Sequence, residues 1–318
     1  MMQYSLPSKD ILSSPTTRVI GVLLGAVLLA MLDYRYGRVL LDPASVYPFL
    51  IMLIVPVSLS IRLGFKSIFF IRKTCVPIGI LVCTLNTVIL LNNMSEIRDF
   101  LYETRLTYAP LALGILLSLL LSIIEPERKP PSKPDGKHFP LLALLTVIAV
   151  ALATFFLNQI KGIPDLGIEP YISDEAILGS LAIYSLCLLH PKMASFRPIE
   201  KLYKSSLAII LVSAIFGVSG YVYAVAAGAV GGMAGAVGTA TLGMSYGSIM
   251  AILSIVAGGN MRETDQESML FDWHIIEAYA FYVLIVMPPL SMIEVVTSDF
   301  EPDSEETASV RKDRLASP

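Results

Sequence analysis

Charge is scarce in this chain. Of its 318 residues only 15% are Asp, Glu, Lys or Arg, against about 25% in soluble domains. With 55% hydrophobic residues and a mean hydropathy of +0.70, that scarcity excludes an ordinary soluble domain and predicts an integral membrane protein. No basic cluster is present that would grip a phosphate backbone, so nucleic acid is excluded as a partner. The three cysteines, Cys75, Cys83 and Cys187, all lie inside apolar runs. An odd number so placed is no disulfide framework; they read as small hydrophobic residues. The three histidines, His138, His190 and His274, are scattered and do not form a metal cluster at ligand spacing. Nucleophile elbow, phosphate loop and zinc helix are all missing, so no enzyme and no cofactor are expected. The first apolar run is followed by Asp33 and Tyr34, not by a small-residue cleavage site, which predicts a retained helix rather than a signal peptide.

What is present is a series of apolar segments, at roughly 18–33, 45–61, 75–91, 107–124, 139–158, 176–189, 205–225 and 236–257. About 20 residues cross the hydrocarbon core, so several are near the lower limit. A further run, 275–296, is broken by Pro288-Pro289 and bears Glu277 and Glu294; a helix lying at the interface is expected there. The segments 62–73, 125–137 and 192–204 each hold four Lys or Arg: Arg62, Lys66, Arg72 and Lys73; Arg128, Lys129, Lys133 and Lys137; Lys192, Arg197, Lys201 and Lys204. The loops between them hold fewer. Under the positive-inside rule this alternation predicts eight spans with both termini in the cytoplasm. Tyrosines near span ends, Tyr171 among them, read as an aromatic belt.

The fold class expected is an all-α, polytopic helical bundle of about eight transmembrane helices. The proline-rich, charged stretch 125–138 reads as a cytoplasmic linker. It divides a first module, 1–124, from a second, 139–260, and a C-terminal amphipathic helix and charged tail occupy 261–318. Each half runs in–out–in, basic loop, in–out–in, which predicts two four-helix repeats in one orientation.

The stretch from Tyr221 to Asn260 is free of charge and dense in glycine. In a bilayer, small residues three or four apart let helix backbones approach closely. Gly228, Gly231, Gly235, Gly238, Gly243 and Gly247 are therefore helix-packing candidates. None of the eight spans contains an ionisable residue that would mark an ion path. Their polar residues are mostly Ser and Thr, whose hydroxyls can line a water path or coordinate an ion. They can equally bond carbonyls of their own helix or a neighbouring helix, and both readings stand at this level.

The run GTATLGMSYGSIMAILSIVAGG (238–259) resembles the fourth transmembrane helix of the MotA/TolQ/ExbB proton-channel family, of which the flagellar stator proteins MotA and PomA are members. Ser245, Tyr246 and Gly247 stand at that helix's Leu-Tyr-Gly. Asp265, Gln266 and Glu267 are similar to the start of the family's cytoplasmic helix. In the first half, Asp42-Pro43 and Ser45 match an outer Asp-Pro-x-Ser turn. Residues 79–100 resemble the third helix, with Thr84 at its threonine. Residues 107–124 resemble the fourth, with Pro110 at its proline and Ser118 at its first threonine. The chain departs from the family in lacking its large cytoplasmic domain, so it looks like two fused, loop-stripped stator-like modules. The resemblance implies a subunit of a bacterial inner membrane, oligomeric and in contact with lipid, that lines a proton or sodium path. The titratable aspartate would sit on a separate single-span partner similar to MotB or ExbD. Candidate lining residues are Thr239, Thr241, Ser245, Thr84, Pro110 and Ser118. The alternative is a self-contained eight-span transporter or a non-conducting scaffold.

Overall fold

The computed structural model describes residues 42–62, 68–92, 107–124, 139–163, 166–191, 193, 196, 198–227 and 230–257, with six positions between 20 and 31. The expected linker at 125–138, the segment 261–318 and Gly228 lie outside the described residues. The described residues include seven long α-helices and the 3-10 turn Glu169–Tyr171, and no strand is found among them. We number the helices α1 (Pro43–Arg62), α2 (Phe69–Asn92), α3 (Ala109–Ile124), α4 (Phe139–Ile160), α5 (Asp174–Leu189), α6 (Pro198–Ala226) and α7 (Val230–Val256).

Local chemistry accounts for several helix starts. The Asp42 carboxylate accepts the amide of Ala44 at 2.9 Å and Pro43 occupies the first helical position, where its missing N–H costs nothing. The Asp-Pro pair is thus a cap for α1. Ser173 caps α5: its side chain accepts the Ala176 amide, with Asp174 and Glu175 in the first turn, where the helix dipole favours carboxylates. Pro198 opens α6. The 3-10 turn, Glu169–Tyr171, lies in the connection between α4 and α5.

Two helices start earlier than their apolar runs. Arg72 and Lys73 belong to the first turns of α2, and Lys201 and Lys204 to those of α6. These four were expected in loops. Long basic side chains can lay their methylene stems on apolar surface while the charge reaches water, so helix continues beneath them. Pro110 is the second residue of α3, where a proline costs the helix no hydrogen bond.

Five helical stretches are long and apolar enough to cross a membrane: Phe70–Leu91, Pro140–Ile160, Glu169–Leu189, Pro198–Ala224 and Gly235–Val256. Two shorter apolar helices, Pro43–Leu59 and Ala109–Leu121, accompany them. The helices form one bundle around α2, which packs against α1, α3 and α7. The most extensive pairing is α6 with α7; α4 lies on α1, and α5 rests on α6 and α7. The first half of the chain therefore meets the second through α2–α7 and α1–α4. Phe70, Ile80 and Leu81 of α2, Met52 of α1, Ile210 of α6 and Met244 of α7 are wholly enclosed.

Glycine sets the closest helix approaches. A Cβ on Gly114 of α3 would collide with the carbonyl oxygen of Cys75, and one on Gly79 of α2 would come within 2.8 Å of the Pro110 carbonyl oxygen. These two residues bring the α2 and α3 backbones together. In the α6–α7 pair, Gly243 lies against the Ser213 side chain, and a Cβ on Gly247 would meet Ile210 at 2.6 Å and the Ser206 carbonyl at 3.0 Å.

Candidate polar seam between two central helices

Thr84 of α2 and Ser245 of α7 are 161 residues apart in sequence, yet their hydroxyl oxygens are 2.7 Å apart in the buried core. Leu91 is the neighbour nearest the free side of Gly238. Position numbers therefore rise along one helix as they fall along the other, so α2 and α7 are antiparallel. Ser245 Oγ is also 3.0 Å from the Thr241 carbonyl oxygen, and Thr84 Oγ1 is 2.8 Å from that of Leu81.

A hydroxyl has one proton to donate. Two protons therefore serve these three contacts. Either Ser245 donates to Thr84, which donates to the Leu81 carbonyl, or Thr84 donates to Ser245, which donates to the Thr241 carbonyl. The two orders share the same heavy-atom positions. One turn further along α7, Thr241 donates to the Val237 carbonyl at 2.7 Å. On α2, Thr87 donates to the Cys83 carbonyl at 3.0 Å. These hydroxyls turn inward and are satisfied by helix backbone or by one another, as hydroxyls in apolar helices are expected to be.

Of the six candidate lining residues, Thr84, Thr241 and Ser245 come together in this seam. Thr239 is only half-buried, and its position two residues before Thr241 puts it roughly 200° away around α7. Pro110 and Ser118 are buried but belong to α3, which packs on α2 through the Gly79–Gly114 crossing rather than on α7. Of the packing glycines, Gly243 and Gly247 stand at close contacts. Gly238 has only Leu91 nearby, and Gly235 faces open space. Gly231 falls in the first turn of α7.

A second polar cluster lies beside the seam, and no sequence reading assigned it. Tyr246 follows Ser245 and points about 100° away from it. Its hydroxyl donates to the Tyr171 carbonyl at 3.1 Å and accepts the Ser173 amide at 3.2 Å. The Tyr171 hydroxyl donates to Asn158 Oδ1 at 2.8 Å, and Asn158 Nδ2 donates to the Leu166 carbonyl at 2.9 Å. Tyr171 is thus half-buried against the core; an aromatic belt does not describe it. The signal that could have found the cluster is Asn158, an amide inside an apolar helix that demands partners. Asn86 Nδ2 and the hydroxyls of Ser180, Ser205 and Ser248 are buried without a hydrogen-bond partner.

Among the described residues no group of three His, Cys, Asp or Glu side chains is placed to hold a metal ion. No protein-family model, no curated protein and no solved structure matches this chain.

Proposed function

We propose that this chain is an eight-span membrane transport protein of the bacterial inner membrane, with both termini cytoplasmic and a small-ion path along the α2–α7 seam. The observation that carries the reading is the Thr84–Ser245 contact. It joins the two halves of the chain through paired hydroxyls in the buried core. Transporters with internal repeats hold their sites where the repeats meet. The two possible proton orders of the pair supply a means of relaying donor direction along the seam without moving heavy atoms. Because Thr84, Thr241 and Ser245 face the chain's own helices, the path in this reading needs no second protein.

A second reading retains the single-span partner with its aspartate and treats this chain as the lining subunit of an oligomer. It is favoured by the outer part of α7, where Gly235 has open space beside it and Thr239 is half-exposed. A further helix could be received there. One experiment separates the two. The purified chain is reconstituted alone in liposomes, and proton and sodium fluxes are followed under an imposed gradient. In the self-contained reading flux is measurable and falls in Thr84→Val and in Ser245→Ala. Flux that is absent until a single-span protein co-purified with the chain is added supports the partner reading. Absence of flux under both conditions supports a scaffold and rejects the path.

A further inference from the structure

We infer that the segment Leu166–Ser173 is a strap that closes the flank of the bundle beside the α2–α7 seam, and that Tyr246 is its latch. The strap follows α4 and leads directly into α5. Its inner side is apolar: Leu166 and Tyr171 pack on the main core, and Tyr171 and Tyr246 cover the small cluster of Val88, Ala176 and Leu242. Its outer side is open, with Gly167, Ile168, Glu169 and Ile172 exposed. Apart from its own turns and the bonds by which Ser173 starts α5, four hydrogen bonds among the described residues hold it, through the side chains of Asn158, Tyr171 and Tyr246. A segment with one exposed face and few anchoring groups belongs to the low-stability end of local opening.

The latch is economical because one hydroxyl serves two backbone groups. The Tyr246 oxygen takes the Ser173 amide and gives its proton to the Tyr171 carbonyl, so losing it frees both ends of the last strap turn. The α5 helix does not depend on this oxygen, since the Ser173 side chain caps it through the Ala176 amide at 3.3 Å. The strap can therefore lift while α5 stays wound. Gly162, just before the strap, holds a left-handed φ of 73°. Neither Gly162 nor Gly167 has any atom within 4 Å of where a Cβ would stand. No other part of the bundle crowds either glycine on that side. Lifting the strap would uncover Leu242, one turn from Ser245 on α7.

The inference concerns access and holds whether or not the seam conducts. The test uses the full chain with its three cysteines changed to alanine and Leu242→Cys as reporter. Its reaction with a water-soluble methanethiosulfonate is timed in liposomes. Two hydrogen bonds are lost in Tyr246→Phe, so modification should speed up by roughly tenfold or more. Asn158→Ala, which releases the other end of the strap, should accelerate it as well. Equal rates in all three proteins overturn the inference. Hydrogen exchange on the unmodified chain gives an independent reading. Strap amides, Ser173 included, should exchange together and faster than those of α5; protection of the strap equal to that of α7 overturns the inference without any variant.

Discussion

The helix α2 and the stretch Glu169–Leu189 around α5 are both apolar enough to cross a membrane, and they sit at opposite extremes of burial. In the most apolar 18-residue window of each, 94% of the α2 residues are buried but only 6% of those in the α5 stretch. Hydrophobicity cannot be the cause of the difference, because lipid tails are as apolar as a leucine core. The difference lies in shape and in polar pairing. On α2, Gly79 admits the α3 backbone and Thr84 meets a hydroxyl from α7. On α5, Leu178, Leu181, Leu186 and Leu189 all stand exposed, and Gly179 has nothing near it. A glycine marks a close crossing only where a second backbone arrives to use the space.

The largest test of this contrast is a cavity made in each helix. Leu81→Ala on α2, at a site with no exposure, should cost about 2–4 kcal/mol. Leu186→Ala on α5 should stay within about 0.5 kcal/mol. Denaturant titration in mixed micelles reads both, and similar losses at the two sites would break the comparison. Next come the glycines. Gly114→Ala puts a methyl group against the Cys75 backbone, which cannot yield as a flexible side chain would, so a loss of about 1–3 kcal/mol is expected. Gly179→Ala meets open space and should gain about 0.5–1 kcal/mol of helix stability. A neutral Gly114→Ala would show that the α2–α3 crossing is looser than described.

A smaller effect probes the polar contact itself. A double-mutant cycle on Thr84→Val and Ser245→Ala should return a coupling of about 0.6 kcal/mol, the usual size for hydrogen bonds between membrane helices. Purely additive losses would mean that the two hydroxyls only bond their own helices. The mildest test leaves the chain unmutated. Cys75 and Cys83 are buried on α2 and Cys187 is partly exposed on α5. A small permeant maleimide, read by mass, should therefore modify one thiol in the folded protein and three after unfolding. Early labelling of Cys75 or Cys83 would contradict the enclosure of α2.

Much of the local structure was legible from residue order. The apolar runs from 45–61 to 236–257 each correspond to a helix, because unbroken apolar stretches leave the backbone no partner but itself in a bilayer. The Asp42-Pro43 pair was read as an outer turn and serves as a helix cap. Helix starts beneath Arg72, Lys73, Lys201 and Lys204 were not legible, since charge pattern marks where a side chain ends and not where the helix begins. Six glycines of the run are packing candidates by spacing; of those whose surroundings are described, Gly243 and Gly247 meet a close neighbour, because α6 crosses α7 there.

By itself, then, the sequence determined that the chain is helical and apolar enough for a membrane, and it marked Thr84, Thr241 and Ser245 as polar residues within apolar runs. Those properties follow from hydrogen bonding and hydropathy along a short length of chain. Tertiary structure decided that Thr84 meets Ser245, that Pro110, Ser118 and Thr239 stand apart from them, and that Asn158, Tyr171 and Tyr246 tie a connection to the bundle. These are contacts between residues as many as 161 positions apart. Which helix faces which depends on the fit of side chains across each crossing, and that fit arises only when the helices assemble.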